Sequence, residues 1–373
     1  MIETLVVIAY NRDRALARLL ASLNNAYYEH DVNLVISIDK SNNRKTIEVA
    51  ENFVWLHGKK ELILHKKNMG LRNHVMYCGE LTEKYGTICV FEDDLYVSKN
   101  YFIYSEQVVN RYSNEEKIAG FSLYCHPLSI ESGLSFSPIE SDSDVFALQY
   151  AMSWGQIWTR GQWEHFYKWY LENQNISFQD QRFPSHLSKW PDSSWLKYFI
   201  SYCIVTNKFF IYPYNSLTTN FSDIGTHSKI QNLDFQVKLE ESISKQRTYV
   251  LPRFTEMYKY DSFFEFIPDH EELSGIEFDL YGCKKIFNKN HVISCQNLNF
   301  EIIKSFGLNL KPHEMNILHE IEGDYFKLYD LSKIKQKKLV DKDRRVKQLK
   351  YYYGELKWHD LLIMLKEKIK NKI

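Results

Sequence analysis

The chain has 373 residues, 44% apolar and 25% charged, enough for one large globular domain or two medium ones and too evenly mixed for a disordered or fibrous protein. Its formal net charge is zero, but residues 331–373 carry 14 Lys/Arg against 5 Asp/Glu, so a +9 tail follows a body of −9. No apolar run approaches the ~18 residues of a membrane span, and the opening Ile2–Tyr10 runs straight into "NRDR" without the pattern of a secretory leader. These features lead to the expectation of a cytosolic protein.

Residues 4–9, "TLVVIA", are a continuous apolar run of strand length, and "RALARLLASLNN" after them repeats leucine at helical spacing. "NLVISID" at 33–39 predicts a second buried strand and "KTIEVAENFVWLH" a helix. "LILH" at 62–65 predicts a third strand, followed by a helix through "NMGLRNHVMYCGELTEKYG". "ICVFEDD" is a fourth strand and "NYFIYSEQVVNRYS" another helix. This alternation predicts an α/β fold, a mostly parallel sheet with helices on both faces.

Short strands and loops follow to about 150, and six of the eight tryptophans then fall within 151–200. Residues 209–230 predict a strand and a polar loop, 231–270 a connector, and 274–330 a small β-rich module with "IEFDLYG", "HVISCQ" and "YFKLYDL". The tail at 331–373 predicts a helix with Trp358, Leu361, Leu362, Leu365 and Ile369 on one face. The division expected is a domain at 1–230, the connector and module at 231–330, and the basic tail. The six cysteines are scattered without a CxxC pair, and Cys89 and Cys203, inside apolar runs, are expected to be reduced core residues.

Ligands in open parallel sheets sit beyond the carboxyl ends of the strands. The polar residues gather there: Asn11, Arg12, Asp39, Asn68, Gly70 and the run Glu92, Asp93, Asp94. Three adjacent carboxylates repel one another, and a hard divalent cation, Mg²⁺ or Mn²⁺, is the simplest remedy. The plainer alternative is an exposed turn whose acids cap the next helix. There is no GxGxxG after the first strand and no GxxxxGK[ST] anywhere, which argues against dehydrogenase and P-loop readings. A phosphate would instead need a metal and side-chain cations, and Arg12 and Arg72 lie at suitable strand ends. Asp39 stands where a carboxylate can hold a ribose or a base edge.

In this order, "VVIAYNR", "LVISID", "NMGLRNH" and "VFEDDLYVSKNYF" resemble the inverting nucleotide-sugar glycosyltransferases of the A-type (GT-A) fold. The resemblance is to the Golgi N-acetylglucosaminyltransferase type that begins complex N-glycans, and to bacterial polysaccharide-synthesis relatives. "SWGQIWTRGQW", "WPDSSW" and "IYPYNSLTTNFSDIGTHS" resemble the family's acceptor-side segment, its catalytic-base motif and its closing loop. The likeness spans roughly residues 1–230.

The resemblance implies Asp94 as the direct metal ligand, with Glu92 and Asp93 on metal waters and donor hydroxyls. It implies Arg12 and Asp39 on the nucleoside part of the donor, Arg72 and then His74 near the diphosphate or donor sugar, and His227 closing over the diphosphate. Asp192 is implied as the general base; it also reads as a helix N-cap, and one residue can be both. Trp154, Trp158 and Trp190 are candidates for stacking on sugars, although any single large Trp is more often core.

The expected partners are a nucleoside diphospho-sugar, UDP-linked in the first instance, and a glycan or lipid-linked glycan acceptor. The tail lacks a nucleic-acid reading motif, and a basic helix with an apolar stripe suits an anionic membrane surface; a helix packed on the small module is the alternative. A sugar-nucleotide pyrophosphorylase would share the sheet, but "AYNRDRAL" lacks its Gly/Arg-rich signature. A glycan-binding scaffold would keep the aromatics without needing Asp94 and Asp192 together. A glycosidase gives no reason for Asp39.

Overall fold

A computed structural model describes residues 1–223, 233–242, 245–269, 271–335, 343–354 and 357–370. The chain forms two compact units, one from Met1–Pro127 with Glu140–Phe266, the other from Leu128–Ile139 with Ile267–Ile373.

The larger unit begins with β1 (Thr4–Ala9), α1 (Asp13–Asn24), β2 (Asn33–Ile38), α2 (Arg44–Asn52), β3 (Lys60–Leu64), α3 (Leu71–Glu80) and α4 (Thr82–Tyr85). It continues with β4 (Ile88–Glu92), β5 (Leu95–Val97), α5 (Tyr101–Tyr112), β6 (Ile118–Ser122), β7 (Val145–Leu148) and β8 (Gln156–Trp158). Then come α6 (Arg160–Glu172), α7 (His186–Lys189), α8 (Leu196–Thr206), β9 (Phe209–Pro213), β10 (Thr218–Asn220), β11 (Lys259–Tyr260) and β12 (Phe266–Ile267). The main sheet has the order β12-β11-β7-β9-β6-β8-β4-β1-β2-β3.

The first four strands run parallel, with β1 between β2 and β4 in the registers Ile8↔Ser37 and Ile8↔Glu92. All six residues of β1 are buried, which is why its sequence is apolar without alternation. Helix α1 buries Leu16, Leu19, Leu20 and Leu23 on one stripe. The expected mostly parallel sheet is present, with antiparallel pairings where β8 meets β4 and β6 and where β7 meets β9. The chain leaves β1 toward β2 on one side while β4 lies on the other. A crevice therefore opens at the carboxyl ends of β1, β2 and β4, the usual ligand position in such sheets.

Two local differences from the sequence expectation have tertiary causes. Helix α2 stops at Asn52 rather than continuing to His57, because Trp55 turns inward and its Nε1 donates to the Val32 carbonyl at 2.7 Å. Helix α3 starts only at Leu71, since the preceding Met69 and Gly70 are held by a side chain from β2's end. Gly79 lets α3 approach α6, for a Cβ there would lie 1.9 Å from the Trp163 ring.

The smaller unit has a sheet of β13 (Ile276–Asp279), β14 (His291–Ser294), β16 (Phe326–Ile334) and β15 (Phe300–Phe306), in that order. Strand β15 was not legible, because its residues are largely half-exposed and show no clean alternation. The buried Asp279 carboxylate organises one end, accepting from Cys283 N, Lys284 N, Ser294 Oγ and Gln296 Nε2 at 2.6–3.0 Å. A short helix α9 (Met315–Leu318) precedes β16. The tail is two helices rather than one, α10 (Arg344–Tyr353) and α11 (Trp358–Lys370), with Gly354 at φ +73° ending the first. The stripe read from the sequence lies on α11 and is exposed at every position, from 36% at Leu361 to 81% at Trp358.

Candidate active site

The loops after β1, β2 and β4 converge on a cleft of about 550 Å³, within the range of small-molecule sites. Its wall includes Tyr10, Asn11, Arg12, Asp39, Glu92, Asp93 and Asp94. The sequence order places these residues far apart; parallel strands ending at one level bring them together.

Arg12 leaves β1's end and forks across the acids. Its Nη1 donates to Asp94 Oδ2 at 2.7 Å and its Nη2 to Asp93 Oδ1. Asp93 Oδ2 also accepts from the Tyr10 backbone N–H at 3.3 Å. Both aspartates are buried, and Asp94 Oδ1 has no hydrogen-bond partner. One guanidinium thus faces three carboxylates. Burial, with the charges of Asp94 and Asp93, pushes the Glu92 carboxyl up to about 8 against the pull of Arg12. Burial also pushes Asp93 up to about 6, again opposed by Arg12. For Arg12, burial works against the charge, but Asp93 and Asp94 outweigh it and hold the guanidinium above its ordinary value.

Asp39 is 4% exposed at the end of β2. Its Oδ1 accepts from Lys40 N at 2.8 Å and Met69 N at 2.9 Å, and its Oδ2 from Gly70 N at 3.1 Å. It therefore anchors the loop that carries Asn68 and Gly70 into the cleft. His74, on α3, also reaches the wall. Ser37 Oγ contacts its Nε2 at 2.8 Å, and burial, with His65 nearby, lowers its pKa to about 4. His74 is thus a neutral imidazole at physiological pH.

The opposite side comes from later in the chain. Strand β10 pairs antiparallel with β5, and Phe221 N donates to the Asp94 carbonyl at 3.1 Å. Asn220, Ser222 and Asp223 line the cleft beyond it. Asp223 is fixed by an ion pair with Arg18 of α1, whose guanidinium lies 3.8 Å above the Phe221 ring. Trp154 lines the cleft with Phe235, their rings 5.0 Å apart. Asn220 and Asp223 fall inside a stretch singled out in the sequence; Phe235 carries no local signal.

The other candidates take different places. Arg72 turns toward α8, with Nη1 3.1 Å from the Tyr198 hydroxyl, and is not in the cleft wall. Asp192 is fully exposed in the turn before α8, its Oδ1 3.2 Å from Lys197 Nζ; its neighbour Ser193 lines the cleft. Helix α8 begins at Leu196, so Asp192 precedes the cap position. Trp190 packs beside His186 at 5.1 Å, outside the wall. Trp158 is core, 4.5 Å from Trp163. His227 lies outside the described residues.

The acidic corner fits a hard cation. Asp94 Oδ1 is a buried oxygen donor without a protein partner. Among the described residues no group of three or more His, Cys, Asp or Glu is placed to hold a metal ion by itself. Mg²⁺ and Mn²⁺ typically take one or two carboxylates and complete their shell with water and substrate phosphate.

No curated protein matches the chain. Solved structures that align with it include the mannosyltransferase PcManGT from Pyrobaculum calidifontis in complex with GDP-Man and Mn²⁺. That alignment has 12% identity over 44% of this chain and 46% of the other, with a TM-score of 0.33. Another is S. aureus TarS 1-349 in complex with UDP, with 13% identity over 58% of this chain and 59% of the other, and a TM-score of 0.37. The chain thus spans about half to three-fifths of the solved chains it aligns with. One family model matches by sequence: residues 4–130, the stretch that supplies β1 to β6 and with them Arg12, Asp39 and the acidic run, are similar to glycosyl transferase family 2.

Proposed function

We propose that the protein is a metal-dependent inverting glycosyltransferase. It moves a hexosyl or N-acetylhexosaminyl group from a nucleoside diphospho-sugar, UDP-linked in the first instance, to a hydroxyl of a glycan or lipid-linked glycan in bacterial surface polysaccharide assembly. The observation that supports this best is the unpartnered buried oxygen of Asp94 beside Arg12, in a cleft at the switch point of a parallel sheet.

In this reading Asp94 holds Mn²⁺ or Mg²⁺, which when bound supplies charge neutralisation for the diphosphate leaving group. Arg12 adds a second cation from the β1 loop. Asp39 and the Met69–Gly70 backbone shape the place for the nucleoside, and neutral His74 closes the floor beneath it. Glu92 and Asp93 orient donor hydroxyls or metal-bound water. Trp154 and Phe235 offer aromatic faces at the sugar end. Asp192, in the turn that brings Ser193 to the cleft, takes the proton from the acceptor hydroxyl as its oxygen bonds to the anomeric carbon. The bond from that carbon to the phosphate oxygen breaks on the opposite face and its electron pair leaves with the diphosphate, so the centre inverts.

The exposed apolar stripe of α11 and the +9 charge of 331–373 support placing the tail on an anionic membrane surface, near a lipid-linked acceptor. No helix among the described residues is long and apolar enough to cross a membrane.

Thermal unfolding with UDP, GDP and their sugar conjugates, with and without Mn²⁺, tests the assignment. A ligand that binds only the folded state raises Tm. The expected result is stabilisation by one nucleotide that needs the metal and is lost in Asp94→Ala. Stabilisation that ignores both the metal and Asp94 would overturn the metal role.

A further inference from the structure

We infer that Arg12 is a resident counter-ion that competes with the divalent metal for Asp94 and is drawn off by the donor's diphosphate. Metal and nucleotide then bind synergistically, and the bare protein holds metal poorly. This rests on the metal site proposed above and adds to it the order in which charges exchange.

The geometry carries the argument. The guanidinium spends two of its N–H groups on the acids, Nη1 on Asp94 Oδ2 at 2.7 Å and Nη2 on Asp93 Oδ1. Hydrogen bonds between a guanidinium and carboxylates are charge-assisted and roughly twice as strong as neutral ones. The Asp94 carboxylate is therefore half-occupied, one oxygen taken by Arg12 and the other free. A dication on the free oxygen would stand across one carboxylate from the guanidinium's positive charge, and the two repel.

The partners differ in freedom to move. The Asp93 side chain is 3% exposed and is also held by the Tyr10 backbone, and that of Asp94 is 11% exposed. The Arg12 side chain retains 25% exposure and lines the cleft. The acids are the fixed half of the pair and the arginine the mobile half. A diphosphate entering the cleft offers Arg12 charged oxygens that a guanidinium can take two at a time, where each acid offers it only one. With Arg12 drawn to the phosphates, Asp94 is released to the metal. Because coupling between two ligands is reciprocal, the metal must strengthen nucleotide binding by the same factor.

The test is Mn²⁺ binding followed by the loss of the free-ion electron paramagnetic resonance signal, with and without UDP, for the wild type and Arg12→Gln. The wild type is expected to bind Mn²⁺ weakly alone and more tightly with UDP. Arg12→Gln is expected to bind Mn²⁺ alone roughly ten- to a hundredfold more tightly than wild type, the scale of one charge-assisted hydrogen bond, with most of the enhancement by UDP gone. If the wild type shows metal–nucleotide coupling but Arg12→Gln binds the bare metal no better, Arg12 is only a clamp on the acids and the inference fails while the metal site stands. If the wild type binds neither Mn²⁺ nor UDP, the functional assignment fails first. Should Arg12→Gln not fold, Arg12→Lys serves, since an ammonium cannot fork across both acids; partial tightening of the bare metal is expected, and an unchanged affinity overturns the proposal.

Discussion

The Asp39 carboxylate accepts from the Gly70 backbone N–H at 3.1 Å, tying the end of β2 to the residue just before α3. The same carboxylate holds Met69 N and Lys40 N, so its removal strands three backbone donors. Asp39→Ala is expected to lower the unfolding free energy by about 1–3 kcal/mol, the cost of leaving buried donors unpaired, and to abolish UDP stabilisation. Gly70 sits at φ +76°, ψ 155° with open space where a Cβ would go, so Gly70→Ala should cost about 1–3 kcal/mol from backbone strain alone. Urea unfolding measures both. Unchanged midpoints would show that this link does not order the loop.

Asp192 makes its ion pair with Lys197 from a fully exposed position, so the carboxylate contributes little to the fold. Asp192→Asn is expected to leave Tm and UDP binding as in the wild type and to lower kcat by about 10²-fold or more, the usual scale of a general base. Normal sugar transfer by this variant would remove Asp192 from the mechanism and send the search for the base to the cleft wall itself.

His126 is 3% exposed among Tyr124, Tyr150, Tyr212 and Phe264, with neither ring nitrogen hydrogen-bonded. Burial lowers its pKa to about 3, and that of His74 to about 4. Each is neutral when folded and protonates near 6.5 when unfolded. The unfolded chain therefore binds more protons between about 6.5 and the folded values, and the contribution of these groups to stability falls as pH drops through that window. His126→Phe removes one such group and two unpaired polar atoms. It is expected to gain about 1 kcal/mol at pH 8 and more at pH 5. A gain that shrinks on acidification would contradict the burial of a neutral imidazole here.

On α11, Trp358, Leu362 and Leu365 are more than half exposed. The full-length protein should sediment with vesicles containing phosphatidylglycerol, with a blue shift of Trp fluorescence, and far less with phosphatidylcholine alone. Added salt should weaken the binding, as screening requires. A Trp358→Ala/Leu362→Ala double variant should lose it without a change in Tm. Equal binding to neutral vesicles, or concentration-dependent dimerisation in place of vesicle binding, would rule out the anionic surface as partner.

Much of the site was legible because strand ends are legible. Apolar runs stop where the strands end, and Arg12, Asp39 and Glu92 to Asp94 stand at or within three residues of the ends of β1, β2 and β4. Trp154 and Trp158 were not separable in the same way. Both belong to one Gly/Trp-rich stretch, yet one lines the cleft and the other is buried against Trp163. Phe235 was invisible for a related reason: its place opposite Trp154 comes from a loop some eighty residues on.

The sequence by itself determined the strand–helix alternation and the level at which the polar residues emerge, since both follow from the local period of apolar side chains. Only the tertiary structure decided which polar groups meet. That Arg12 bridges Asp93 and Asp94, that Asp39 is satisfied by the backbone before α3, and that one oxygen of Asp94 is left over all depend on contacts across wide gaps in the chain. Hydrogen bonds are directional over a few tenths of an ångström, and no local pattern of residue types fixes that direction.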